Sequence, residues 1–349
     1  MLLTLTATCL KPLLAHPGKG KKGKLDLTDV PTFTRETLGL TGLNLSTDLL
    51  AGADRKRLES IRERADKASC ACLLLIESET QAFGVADEAA GKAAQARMIR
   101  VVEAAQIIGC SAAALRVESD DNDTALLRVA ARLKPVVERA EKLDVNLLIS
   151  PTKGLTSTAE RLAELIKKVG GFRIGTFPDF ETASTQKDPT AYLRRLTPYA
   201  TVVSASTVKF AETPKEATAD NPLPKPRPPI TKKPVSKLAP PVAGGAGKAA
   251  KPLPIDDDDE GDEDVDLTDE ELEAALGLHD DDEPQEEEYK PQYPEHSAYK
   301  LKTLVAAVAS VGYDGTLAVD YRGPGDPTMG IVYSRDSLQD ALNEVAFED

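Results

Sequence analysis

Eight short, mostly apolar runs, each followed by a stretch with helical spacing, constrain this 349-residue chain more than any other feature of its sequence. The runs cover 2–9, 42–46, 70–76, 112–118, 145–150, 172–177, 201–206 and 316–321. Their near-continuous apolar character is that of strands buried on both faces. Between them, apolar residues recur at three- and four-residue spacings, as at Met98, Val102, Ala105 and Ile108, or Leu126, Val129, Leu133 and Val136. That period predicts helices over 54–68, 87–108, 122–143, 158–169, 189–196, 299–311 and 334–346, with a short one at 34–38. Strands alternating with helices imply a parallel sheet, because parallel neighbours need a crossover connection. Eight such units favour closure into a (β/α)8 barrel, and a doubly wound open sheet is the other arrangement the alternation allows. With 4% aromatic residues and no Trp, the core has to be filled by Leu, Val, Ile and Ala, the residues that pack barrel interiors in layers.

Composition interrupts the pattern once. Residues 211–254 are rich in Pro and Lys, and 255–297 are acidic, with 20 Asp and Glu and no Lys or Arg between Asp256 and Glu288. Such segments bury too little apolar surface to offset the entropy of ordering, so 211–297 reads as a disordered insert between strand 7 and helix 7. One barrel domain is then expected from 1–210 and 298–349. The insert carries 24 acidic and 9 basic residues, which leaves 33 acidic and 34 basic of the chain's 57 and 43. The formal charge of −14 therefore belongs to the insert, and the barrel is neutral. Within the insert, Thr268, Glu271, Leu272, Ala275 and Leu276 have the spacing of a capped amphipathic helix over 268–276. It is too short to be stable alone and is suited to folding onto a protein partner.

Cys9, Cys70, Cys72 and Cys110 form no CxxC pair and lie in or beside apolar runs. They read as buried free thiols in a reducing, cytoplasmic setting. The first ten residues lack a basic stretch and read as a strand rather than a secretion signal. No apolar run reaches the ~18 residues that would mark a membrane span.

Five segments occur in this order: Leu40-Thr-Gly-Leu-Asn-Leu, Ala105-Gln-Ile-Ile-Gly-Cys, Ala140-Glu-Lys-Leu-Asp-Val-Asn-Leu-Leu-Ile, Pro178-Asp-Phe and Val311-Gly-Tyr-Asp-Gly. Together they resemble the sugar phosphate isomerase/epimerase family, the xylose isomerase-like barrels that also include endonuclease IV relatives. The resemblance implies a TIM barrel with a divalent metal (Mn, Mg or Zn) at the carboxyl ends of the strands. It also implies a sugar or sugar phosphate ligand and proton transfer beside a carbonyl. The family's ligands are a Glu after strand five, an Asp after strand six, a His at strand seven and a Glu ending strand eight. Here the matching positions hold Ser150, Asp179, Ser204 and Asp320, and a nearby family Lys is Ser206.

The implied metal site is therefore degenerate, with Asp179 and Asp320 as remaining ligands and Glu181 as a substitute. Glu77, Glu118 and Asp320 are the carboxylates available for catalysis. The chain has three histidines, His16, His279 and His296, of which the last two fall in the insert. Abasic-site endonuclease chemistry, which uses a multi-His metal cluster in that branch, is not expected. The loop after strand one carries Lys19, Lys21, Lys22 and Lys24 between glycines, an anion-binding candidate and a surface onto which the acidic insert would fold. Nucleic acid is not expected as a partner, because the barrel lacks a broad basic field and stacking aromatics. Two readings follow. One is a family barrel that has lost standard metal catalysis and serves as a binding or regulatory module. The alternative is an active divalent-metal-dependent sugar (phosphate) isomerase or epimerase with a remodelled site.

Overall fold

The predicted alternation is realised in a computed structural model that describes residues 1–15, 25–219, 221–225 and 293–348. The strands are β1 (Leu2–Thr6), β2 (Gly42–Ser46), β3 (Ala71–Gln81), β4 (Ala112–Val117), β5 (Asn146–Ser150), β6 (Ile174–Thr176), β7 (Val202–Thr207) and β8 (Thr316–Tyr321). The helices are α1 (Val30–Glu36), α2 (Arg55–Lys67), α3 (Glu88–Ile108), α4 (Asp123–Lys142), α5 (Ala159–Val169), α6 (Phe180–Ser184), α7 (Pro189–Leu196), α8 (Leu301–Ala309) and α9 (Pro327–Glu348). All paired strands are parallel, in the order β6-β5-β4-β3-β2-β1-β8-β7. Parallel bridges Thr176–Ala200 and Asp179–Ser204 join the two ends, so the sheet closes into the (β/α)8 barrel. The described residues belong to one compact unit, Met1–Pro229 with Tyr293–Asp349. The second unit, Ile230–Gln292, lies outside them.

Helix starts follow the sequence signals. Asp54, Asp87, Asn122, Thr158 and Asp188 each accept a hydrogen bond from a backbone N–H in the first turn that follows, the satisfied N-cap that such residues provide. Some boundaries shift. The first strand ends at Thr6 and continues as a 3₁₀ turn, Ala7–Leu10. The run at 172–177 keeps only Ile174–Thr176 as strand, because Gly170 and Gly171 take positive φ and leave Phe172 99% exposed. The last helix starts at Pro327 rather than 334, with Asp326 capping it and Pro at a first-turn position that needs no N–H.

Side chains alternate across each strand, and register partners in parallel neighbours share a face. One face carries Leu74, Ala112, Ala114, Leu148, Phe177, Val202 and Ala318, which pack together inside the barrel. The other face, with Leu43, Leu45, Leu75, Leu115, Leu147, Val203 and Val319, packs with Met98, Val102, Val129, Leu133 and other helix residues in the main core. The interior face runs on toward the carboxyl ends of the strands through Arg116, paired in register with Ser150, and through Ser206, paired with Asp320.

After β7 the outgoing and returning segments pair in a short neck, and the outgoing one stays on the barrel as far as Pro224, with the Pro214 and Pro224 carbonyls accepting from Asp326 and Arg335. Phe210 bridges His296 antiparallel, Ala211 donates its N–H to the Glu295 carbonyl at 2.8 Å, and Ser297 donates to the Lys209 carbonyl at 2.9 Å. Phe210 packs edge-on against both His296 and Tyr333. His296, which the sequence reading assigned to the insert, is 7% exposed.

Candidate functional site

At the carboxyl ends of the strands the interior face changes from apolar to polar, and an arginine organises it. Arg322 follows Asp320 by two residues, so both side chains project from the same face of the strand end. The Arg322 N–H bonds to the Thr207 carbonyl, which extends the β7–β8 ladder and fixes its direction. Its Nη2 donates to Asp179 Oδ2 and to Asp320 Oδ2, both at 2.6 Å, and to Ser204 Oγ at 3.3 Å. Nε adds a 2.9 Å bond to Asp320, and Nη1 reaches Glu181 Oε2 at 2.6 Å. One guanidinium thus joins three carboxylates and a hydroxyl. This planar fork of charge-assisted donors is geometry that Lys lacks.

Neighbouring groups hold that cluster in place. Asp179 caps α6, accepting from the Thr182 N–H at 2.8 Å, and the Glu181 N–H donates to Ser206 Oγ at 2.9 Å. Burial pushes the Asp179 carboxyl upward, but Arg322 outweighs it, with help from Thr182 and Ser204, and holds the group below the usual carboxylate range. Burial opposes the charge of Arg322, whereas Asp179 and Asp320 favour it, so the guanidinium stays protonated. Cys9 donates its thiol to Asp320 Oδ1 at 3.3 Å, and burial, then Asp320, raises its pKa well above the ordinary value.

Asp179, Asp320, Arg322, Thr182 and Cys9 line part of a cavity of about 470 Å³ at the barrel mouth. Hydroxyls of Thr8, Ser46, Ser78 and Ser150 line other parts of it, together with Arg116 and Lys11. Lys11 is paired with Asp48 at 2.5 Å. Arg116 donates to the Ser78 carbonyl and, among the described residues, meets no carboxylate. Thr6 also lines the cavity, and its buried Oγ1 has no hydrogen-bond partner.

The sequence-based candidates separate in space. Asp179, Asp320, Glu181 and Ser204 come together at Arg322, and Ser150 lies on the cavity wall. Glu77 does not join them. Its neighbour Ile76 packs with the interior cluster, and Glu77 points the other way, where Arg97 donates to it at 2.8 Å and Thr47 at 3.2 Å. Glu118 lines a separate pocket with Asp120, Asp121 and Lys153. His16, Lys19, Lys21, Lys22 and Lys24, and the segment 268–276, lie outside the described residues.

Sequence reasoning missed Arg322, Arg116 and Cys9. A signal for both arginines was present. Arg322 stands two residues beyond Asp320, and Arg116 two beyond Ala114, so a strict period of two places each on the interior face.

The resemblance implies a divalent ion at this mouth. Asp179, Asp320 and Glu181 already share one cation, and among the described residues no imidazole lines the cavity. At an effective dielectric of ~20, a guanidinium and a divalent ion ~4 Å apart would repel by about 8 kcal/mol. Among the described residues no group of three or more His, Cys, Asp or Glu side chains is placed to hold a metal ion. The residues as arranged do not fit that ion.

A closed ring of parallel strands with a polar cavity at their carboxyl ends is a (β/α)8 barrel, the architecture whose functional sites lie at that face. Residues 36–223, more than half of the chain, match the family described as the xylose isomerase-like TIM barrel, and the chain belongs to that family. No protein of curated description matches it in sequence. Among solved structures, an L-ribulose 3-epimerase superposes with TM-score 0.64 at 12% identity, covering 100% of this chain and 98% of that one. D-psicose 3-epimerase from Clostridium cellulolyticum H10, solved with D-tagatose, gives 0.58 at 10% identity, covering 99% of each chain. The IolI protein, described with a binding zinc atom, gives 0.57 at 11% identity, covering 100% of this chain and 99% of that one. At these identities the likeness shows the shared fold. Among the described residues no helix is long and apolar enough to cross a membrane.

Proposed function

We propose that this sugar epimerase/isomerase-like barrel works without a resident divalent metal and serves as a binding or regulatory module for a sugar or sugar phosphate. The observation that carries the reading is Arg322, whose guanidinium bridges Asp179, Asp320 and Glu181 at 2.6 Å each. A metal in such a site polarises a carbonyl and stabilises the oxyanion formed next to it. A guanidinium already engaged with three carboxylates stays fixed where it is, and its charge is offset. The cavity retains hydroxyls and carboxylate oxygens that suit a polyol, so ligand capture survives while the metal-dependent step does not. The 211–297 segment supplies the partner-binding half of the reading, on the ground of its charge and the amphipathic spacing at 268–276.

Elemental analysis of the full chain, with Mn²⁺ titration followed by electron paramagnetic resonance, tests the metal half. Well under one equivalent of Mn, Zn or Mg, and no saturable Mn²⁺ binding, is expected. Stoichiometric metal that is lost in Asp179→Ala would establish the metal-dependent enzyme instead. Pull-down with the full chain and with 226–292 replaced by a short Gly-Ser linker tests the partner half. Capture that survives the replacement counts against it.

A further inference from the structure

The mouth is electrically two-sided. Arg116 ends β4 and the Asp320–Arg322 pair ends β8, four strands away in either direction around the closed ring. On the β6–β8 side, Asp179, Glu181 and Asp320 outnumber the single Arg322. On the β4 side, Arg116 is oriented by the Ser78 carbonyl and has its remaining donors free of any carboxylate among the described residues. Ser150, its register partner on β5, and Ser78 place hydroxyls beside it. Thr6 adds a buried hydroxyl without a partner to the lining of the same cavity. An exposed cation and carboxylate acceptors that line the same cavity match one ligand chemistry. The ligand has an anionic head and a tail of hydroxyl donors.

We infer that Arg116 selects small polyhydroxylated anions over neutral sugars, binding the anionic head at the β4 side while the ligand's hydroxyls donate toward Asp179 and Asp320. The inference rests on the binding reading above and specifies its ligand. Carboxylate and phosphate heads share the chemistry that a guanidinium fork recognises.

Isothermal titration of the full chain with fructose 6-phosphate, gluconate, fructose and inorganic phosphate, repeated with Arg116→Gln and Arg116→Lys, tests it. At least one of the two anionic polyols should bind more tightly than fructose and more tightly than inorganic phosphate. Which one does so identifies the head as phosphate or carboxylate. Arg116→Gln should weaken that binding by about 10- to 100-fold, the usual range for losing a charge-assisted contact. Fructose binding should be unchanged, and Arg116→Lys should restore part of the loss. Fructose binding equal to that of the anions overturns the inference. So do an Arg116→Gln variant that binds the anions like the parent, inorganic phosphate binding as tightly as either polyol, and no binding of any probe. Bound Mn²⁺ measured on the same samples judges the metal-free reading separately, so either can fail while the other stands.

Discussion

Arg322 shows how one side chain changes the chemistry available to a barrel mouth. Replacing it with Gln removes the only cation that Asp179, Asp320 and Glu181 share among the described residues. Asp179 is buried and held below its ordinary pKa, so its contribution to stability is present above about pH 4 and is lost as pH falls through the lower folded value. Arg322→Gln should therefore destabilise the barrel at pH 7 by about 2–4 kcal/mol, less than for a fully buried pair because the guanidinium is partly exposed. The deficit should shrink toward pH 4 as the uncompensated carboxylates take up protons. Added Mn²⁺ should also reduce it, by occupying the vacated centre. Urea unfolding at several pH values, with and without Mn²⁺, measures both effects, and a deficit unaffected by either would mean that Arg322 acts only through packing. Part of this centre was legible in the sequence. Asp179, Glu181, Ser204 and Asp320 follow from ordered family-like segments. The period of two made the arginine's place on the interior face legible, but its bonds to Asp179 and Glu181, about 140 positions away in the chain, follow from no local pattern.

At the scale of elements, periodicity carried most of the fold. The limits of β2 and β8 agree with the apolar runs, since both strands are buried on both faces and end where the polarity changes. Strand β6 was overestimated because Phe172 looks like a strand residue, yet two positive-φ glycines set it outside the sheet. Glu77 lies apart from the Arg322 cluster for a related reason. It ends an apolar run as a mouth residue would, but β3 continues to Gln81, and its parity directs it toward Arg97. The neck was missed because its residues lie between polar stretches and lack a period. There the Val208 N–H donates to His296 Nε2 at 3.3 Å, so Nδ1 carries the proton and donates to the Tyr299 carbonyl at 2.8 Å. Burial lowers the His296 pKa and the Tyr299 bond opposes the shift only in part, so the folded imidazole stays neutral below its usual value of about 6.5. The unfolded chain then binds more protons below that pH, and stability falls as pH drops from about 6.5 to the folded pKa. His296→Phe should cost about 1–2 kcal/mol at pH 7.5, from the loss of the two hydrogen bonds. The gap between variant and parent should narrow as pH is lowered to 5. Denaturant titrations across that range measure it, and a gap constant with pH would rule out the imidazole as its source.

For the molecule as a whole, charge divides between two regions of sequence, a neutral barrel and an acidic segment within 211–297. Barrel closure was legible from the count of eight strand-and-helix units, and the bridges from β6 to β7 supply the contact that the count required. Replacing 226–292 with a short linker should leave the barrel's unfolding temperature within a few degrees, because Phe210, His296 and Tyr333 hold the neck without it. Calorimetry of both chains checks this, and a fall of 10 °C or more would show that the barrel depends on the segment.

Because the chain stays on the barrel as far as Pro224, whose carbonyl accepts from Arg335, and is on it again at Tyr293, which bonds to Asp340, the 226–292 segment is a loop tied at both ends to one helix, α9. The entropy of closing such a loop grows only with the logarithm of its length, by about 0.6 kcal/mol per doubling. Descendants of this gene can therefore lengthen, shorten or exchange the segment with little consequence for the barrel, and its two attachments to α9 offer a natural graft point for a foreign domain.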